Sequence, residues 1–253
     1  TMALLANLTD DEGTGLNVLT VTVTAALDTA LNATDLSVLG GKTSGVVTVS
    51  NSVIISGTQI ELEAALITAD TLVIANTAKL TVSGGISVVD ANALDAITTG
   101  AITATIGALL DDLVTGNTSN LTGTNNNYNI TVIGVPVAPT VAQVNAIDAS
   151  TIGIVTATFT ATAAELFTGN VSNVVDNTGT ANNNYTIRVE DAVTPADTGV
   201  INVTQANNLN AVTDGAITAK ITDVVSNLIG LTAGSNVYTI TANDIAGTAI
   251  LAT

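Results

Sequence analysis

Two short phrases recur in the same order along this chain, and that repetition constrains its fold more than any other feature. The first is a helix-like run that closes on a glycine and passes into a strand: ANALDAITTGAITATI ending at Ile106, VNAIDASTIGIVTATF ending at Phe159, and ANNLNAVTDGAITAKI ending at Ile221. The second is an Asn/Gly-rich turn that runs into a strand carrying a tyrosine: LTGTNNNYNITV, NTGTANNNYTIRV and LTAGSNVYTITA. Gly100, Gly153 and Gly215 lie 53 and 62 residues apart, while Tyr128, Tyr185 and Tyr238 lie 57 and 53 apart. Length therefore varies between the phrases, as loops do in repeat arrays. The three glycines close helix-like segments, a position that favours left-handed backbone, and the pattern predicts that conformation for each.

Strand periodicity gives the fold class. Val47, Leu80, Ile102, Ile130, Val155, Ile187, Ile217 and Ile240 are the expected inward residues of successive strands, spaced 22 to 33 residues apart. Each interval accommodates a short helix or an extended return, which parallel pairing requires. Ile102, Ala104 and Ile106 alternate with Thr103 and Thr105, so one strand face is core and the other polar. The tyrosines share the inward phase of Ile130, Ile187 and Ile240, which favours a core ladder over an exposed sugar-binding platform. The expected fold is an α/β repeat solenoid: a parallel β-sheet with short helices or irregular returns. An all-β array of small sandwich-like repeats is the alternative, although 53 to 62 residues per unit is short for sandwiches of ~100.

The chain divides accordingly. Residues 1–32 form an N-terminal strand and irregular segment, 33–85 a diverged repeat with Gly45 in the place of Gly100, 86–137 and 138–193 two repeats, and 194–253 a repeat with the C-terminal end. GALLDDLV, TAAELF and TDVVSNLI place apolar residues at helical spacing, as at Leu109 and Leu113, and predict short helices. GTQIELEAALI, with Glu61 and Glu63 near its start, predicts another. Pro136, Pro139 and Pro195 fall in connections. Met2–Leu8 and the late residues Ile245, Ile250 and Leu251 are apolar, so both ends look fit for contact with another copy.

Composition narrows the function. Apolar residues make up 47% but aromatics only 2%, so the core is built from Ala, Val, Ile and Leu, which suit narrow stacked coils. Charged residues reach only 10%, against ~25% in ordinary domains, and Thr and Asn carry the surface polarity. With a net charge of −17 and only Lys42, Lys79, Arg188 and Lys220 as cations, neither nucleic acid nor an anionic membrane is an expected partner. No apolar run reaches the ~18 residues of a spanning helix, and the N-terminus lacks the basic region of a signal peptide.

Catalytic constellations are scarce. Without His or Cys, triads and thiolate sites are impossible, and the adjacent pairs Asp111/Asp112 and Glu190/Asp191 point apart on any regular element. No enzyme is expected. Calcium is the one candidate cofactor: Asp191 and Asp244 follow tyrosine strands, and Asp90, Asp148 and Asp214 flank the first phrase, where carboxylates and Asn carbonyls can form hard-cation sites. Helix capping and turn formation are the plainer reading of the same residues.

ANALDAITTGAITATI and LTGTNNNYNITV resemble the Ala/Thr/Asn/Asp-rich tandem repeats of very large secreted or cell-surface proteins of bacteria, notably marine cyanobacteria. The likeness covers roughly Ala33 to Ala242 and implies nothing catalytic. The Gly-Gly-x-Gly-x-Asp calcium nonapeptide that often accompanies such repeats is missing. The expected role is a structural repeat segment of an extracellular surface layer, adhesin stalk or self-assembling filament. Its partners are copies of itself joined head-to-tail, or further repeats of a longer parent chain. A calcium-dependent adhesive or ligand-binding module is the alternative. An ice-binding face built from Thr103, Thr105, Thr156 and Thr158 is a remote one, interrupted by Asn129, Arg188 and Lys220.

Overall fold

The computed structural model describes residues 18–134, 137–177 and 182–243. Met2–Leu8, Pro136, Asp244, Ile245, Ile250 and Leu251, to which the sequence assigns roles, lie outside the described residues. The chain is α/β, with parallel β-sheet and short helices.

The strands are β1 (Val21–Val23), β2 (Ala30–Asn32), β3 (Val47–Val49), β4 (Ile54–Gly57), β5 (Val73–Ile74), β6 (Lys79–Gly85), β7 (Ile102–Ala108), β8 (Val114–Thr115) and β9 (Thr118–Ser119). They continue with β10 (Asn127–Val132), β11 (Val155–Thr162), β12 (Phe167–Thr168), β13 (Val171–Ser172), β14 (Asn184–Glu190), β15 (Val200–Ile201), β16 (Ile217–Asp223) and β17 (Val237–Ala242). The helices are α1 (Ala33–Gly40), α2 (Gln59–Leu66), α3 (Val88–Asp95), α4 (Leu110–Leu113), α5 (Val141–Asp148), α6 (Ala163–Leu166), α7 (Val203–Asn210) and α8 (Val225–Leu228).

These elements fall into two compact units. The first is Thr1–Ala108, Asn120–Ile130 and Ser150–Gly153; the second is Leu109–Ser119, Thr131–Ala149 and Ile154–Thr253. In the first, sheet strands follow the order β2-β4-β6-β7-β10, and β1-β3-β5 form a small parallel sheet of their own. Parallel register sets Ile55 beside Leu80 and Leu80 beside Ile102. In the second, β11, β14, β16 and β17 pair in that order, all parallel, with Phe159 beside Ile187, Ile187 beside Ile217 and Ile221 beside Ile240. β15 pairs the far half of β16.

The period-2 pattern carries this core. Ile102, Ala104 and Ile106 are buried in β7, Val155, Ala157 and Phe159 in β11, and Ile217, Ala219 and Ile221 in β16, while intervening threonines face outward or sit half-buried. Tyr128 and Tyr185 are fully buried, and the Tyr185 ring meets Phe159 edge-on at 5.9 Å between centroids. One inward expectation fails. Ile240 is 52% exposed, on a strand that pairs with β16 alone among the described residues.

Helix starts are written in local chemistry. Capping boxes pair Thr58 with Glu61, Thr140 with Gln143, Thr162 with Glu165 and Asn202 with Gln205, each satisfying backbone N–H groups at both ends of the first turn. Those bonds hold the Glu61 and Glu165 carboxyls below their usual range. In α4 the apolar pair that packs is Leu110 with Leu113; Leu109 is 47% exposed. Two antiparallel hairpins, β8–β9 and β12–β13, turn on Gly116-Asn117 and Gly169-Asn170, with both glycines left-handed at φ 63° and 64°.

Gly100, Gly153 and Gly215 are not left-handed, contrary to the sequence-based expectation. Their helices end earlier, at Ala96, Ala149 and Ala211, all in right-handed conformation. Glycine is required for a different reason: a Cβ would overlap the carbonyl oxygen of Ala78, Tyr128 or Tyr185 respectively. At Gly45 the overlap would be with Leu19 O. The glycine lets two backbones touch.

Candidate functional site

The buried polar residues of the described chain are Thr43, Thr98, Asn126, Asp148, Ser150, Thr151, Asn183 and Thr213. All except Ser150 belong to one arrangement that recurs, so the polar chemistry of this interior is concentrated at equivalent joints.

Each joint begins with threonine two residues before the landmark glycine. Thr151 Oγ1 accepts from Tyr128 N at 2.8 Å and from Gly153 N at 2.9 Å, and donates towards Tyr128 O at 2.8 Å and Asn126 O at 3.2 Å. Thr213 does the same with Tyr185 N at 2.7 Å, Gly215 N at 3.0 Å, Tyr185 O at 3.0 Å and Asn183 O at 3.1 Å. Thr98 serves Gly100 N and Ala78 O, and Thr43 serves Gly45 N, Leu19 N and Leu19 O. A single hydroxyl thus satisfies backbone groups of its own turn and of the strand that the glycine touches. The Thr-x-Gly signal is plain in TSG, TTG, TIG and TDG. Sequence reasoning fixed on the glycine and overlooked the threonine.

Asparagine supplies the second tie. Asn126 Oδ1 accepts Ile102 N at 2.8 Å, Asn183 Oδ1 accepts Val155 N at 2.7 Å and Asn236 Oδ1 accepts Ile217 N at 2.8 Å. The amide nitrogens donate to the last side chain of a helix: Asp95 at 2.8 Å, Asp148 at 2.6 Å and Asn210 at 2.7 Å. A third tie comes from mid-helix Asn92, Asn145 and Asn207, whose amides grip the backbones at Asn120/Thr122, Asn173/Val175 and Gly230/Thr232 in two-point fashion. The hairpin tips are held likewise, with Gln143 Nε2 donating to Gly116 O and Gln205 Nε2 to Gly169 O.

The calcium candidates are placed as follows. Asp148 is fully buried, taking Asn183 Nδ2 on Oδ1 and Asn177 N at 3.0 Å on Oδ2. Burial pushes its carboxyl above the usual range, opposed by those hydrogen bonds and reinforced by nearby Asp176. Asp90 accepts from Ser87 Oγ at the start of α3, and Asp214 accepts from Asn182 Nδ2 at 3.2 Å. Asp191 closes a loop by accepting from Val193 N and Thr194 N, which holds its carboxyl low. The same loop is clamped by Arg188, which donates to Pro195 O and Ala196 O. Among the described residues no three His, Cys, Asp or Glu side chains gather around one point. Asp223 was not anticipated; it holds Val203 N, Val224 N and Asn227 Nδ2 together, and these bonds lower its pKa.

Thr103, Thr105 and Thr158 are exposed and Thr156 is half-buried. Thr81 stands beside Thr103 and Thr158 beside Thr186, but Arg188 stands beside Thr160 and breaks the outward threonine rows. The tyrosine hydroxyls are buried and meet no hydrogen-bond geometry among the described residues, with the Asn126 and Asn183 side chains near those of Tyr128 and Tyr185. Burial pushes all three upward, Tyr238 to about 12, with Asp95 adding to the rise at Tyr128 and Asp148 with Asp176 at Tyr185.

No helix among the described residues is long and apolar enough to cross a membrane. The chain is similar to no protein-family model, no curated protein and no solved structure.

Proposed function

We propose that this chain is a structural segment of an extracellular bacterial assembly, an α/β solenoid of tandem modules serving in a surface layer, adhesin stalk or self-assembling filament. The observation that carries this reading is the recurring joint. The buried polar side chains spend their hydrogen bonds tying one helix-strand module to the next, and the apolar strand faces fill the space between. Chemistry invested in backbone ties suits a load-bearing array, whose stability is a sum of modules and their interfaces. The low content of charged residues and the resemblance to tandem repeats of large secreted and surface proteins support placement outside the cell. The partners are copies of the chain joined head-to-tail, or further repeats of a longer parent.

Light scattering across salt concentration tests this. Screening of the −17 charge should favour contact between copies, so particle mass should grow with salt. A strict monomer at high protein and salt concentration would sink the assembly reading. Growth that a chelator abolishes and calcium restores would favour the calcium-dependent adhesive module instead.

A further inference from the structure

The joint at Tyr185 shows what covers a tyrosine strand on its far side, a Thr-x-Gly turn and the strand that follows it, and a Thr-x-Gly turn stands at Tyr128 as well. Thr151 caps Tyr128 N and Thr213 caps Tyr185 N, at 2.8 and 2.7 Å. Two residues on, Ile187 N donates to Ala216 O at 2.9 Å. β17 carries the same phrase, with Asn236, Tyr238 and Ile240 matching Asn183, Tyr185 and Ile187. Its near side is engaged in the same manner, by β16 and by Asn236 on Ile217 N. On its far side no Thr-x-Gly turn stands among the described residues, and Val237 and Ile240 are 62% and 52% exposed. The strand, VYTITA, has no charged residue to blunt its edge. In the first unit, by contrast, the edge strand β2 is only three residues long and lies beside the Asp28–Lys79 ion pair.

We propose that the far edge of β17 is a docking surface for a strand of the form Thr-x-Gly followed by alternating apolar residues, added in parallel. The partner's threonine hydroxyl would take Tyr238 N, and the first carbonyl after its glycine would take Ile240 N. This deepens the assembly reading and rests on it. It also narrows the partner: Thr43, Thr98, Thr151 and Thr213 are all engaged within this chain. The occupant is therefore a repeat module of the same grammar from outside these residues, and not a folded second copy.

The test is fluorescence anisotropy of a labelled synthetic peptide, Thr213–Asp223 (TDGAITAKITD), titrated with the full 253-residue chain. Saturable binding is expected, weakened at least about ten-fold, roughly the loss of one or two hydrogen bonds, by Thr213→Val or Gly215→Val in the peptide. The same loss is expected for Ile240→Pro in the chain, which removes the outward N–H at an edge position where proline is tolerated. No saturable binding to the parent, or altered peptides that bind within about two-fold of the original, would overturn the proposal. If Ile240→Pro fails to fold, the peptide variants alone decide. If Ile240→Pro folds and abolishes salt-driven self-association, a folded second copy occupies the edge and the proposal falls. Peptide binding by a chain that stays monomeric at high salt would retain this inference and remove the assembly reading. A chain that grows with salt yet ignores the peptide would do the reverse.

Discussion

Tyr185 and Tyr238 occupy the same place in the same phrase, yet one strand lies inside the protein and the other on its surface. Ile187 is fully buried two residues after Tyr185, while Ile240 is 52% exposed two residues after Tyr238. The local sequence hardly differs; the neighbour does. Tyr185 has Thr213 and Gly215 against its backbone, whereas Tyr238 has no such turn among the described residues. Burial of a tyrosine strand here depends on the turn and strand packed against it. A strand face that is apolar by pattern is only a candidate for burial.

The widest test of that difference is truncation of both tyrosines. Tyr185→Ala removes a fully buried ring that meets Phe159 and should cost about 3–5 kcal/mol. Tyr238→Ala should cost less than half as much, since its strand is open on one side. Urea midpoints of the two variants measure the gap; equal losses would erase the distinction between closed and open joints.

The closing turn itself comes next. At Gly215 a Cβ would overlap Tyr185 O, so Gly215→Ala must push two backbones apart, at about 1–3 kcal/mol. Thr213→Val keeps the shape but strips the hydroxyl from Tyr185 N and Gly215 N, leaving buried donors unmade at about 1–3 kcal/mol. Both should act on the Tyr185 joint and leave the β17 edge accessible. Thermal melting that matches the parent for either variant would remove the role assigned to Thr-x-Gly.

These turns mark where the sequence was legible and where it was not. Helix and strand placement could be read because periodicity is a local property: Ile102, Ala104 and Ile106 face inward as their alternation requires. The landmark glycines could be found but their cause could not. A helix-closing glycine and a glycine at a backbone crossing look alike in one dimension, and only the early helix ends at Ala96, Ala149 and Ala211 separate them. Thr98, Thr151 and Thr213 were hidden among many threonines, although their constant distance from glycine was visible. The Gly-Asn hairpin tips at Gly116 and Gly169 also carried a readable turn signal. Asn126 and Asn183 could not have been assigned, because the strand and the helix end they join are 24 to 35 residues away.

A subtler contrast lies at the helix ends, where the buried Asp148 and the neutral Asn210 hold equivalent asparagines. Burial raises the folded-state pKa of Asp148 above its unfolded value, so the folded chain binds this proton more tightly. Its contribution to stability is therefore larger at low pH and falls as pH rises from the unfolded to the folded pKa. Asp148→Asn abolishes this titration. The parent should gain stability relative to the variant as pH falls from about 7 towards 4, as measured by urea midpoints. A difference that does not change with pH would mean that Asp148 does not titrate as its burial requires.

The smallest effect concerns the tyrosine hydroxyls, where the closed and open joints should differ in size. The Tyr185 hydroxyl is buried and meets no hydrogen-bond geometry among the described residues, although the Asn183 side chain lies near it, so its removal strands no well-bonded partner. Tyr185→Phe keeps the ring against Phe159 and deletes a desolvated donor, and should be neutral or stabilising by up to about 1 kcal/mol. At Tyr238, whose hydroxyl is also buried without a partner among the described residues but whose strand is more exposed, the same change should have a smaller effect. Melting of the two phenylalanine variants measures this. If Tyr185→Phe lost more than about 1 kcal/mol, the hydroxyl would have a working partner and would belong to the network of Asn183 and Asp148 as a tie in its own right.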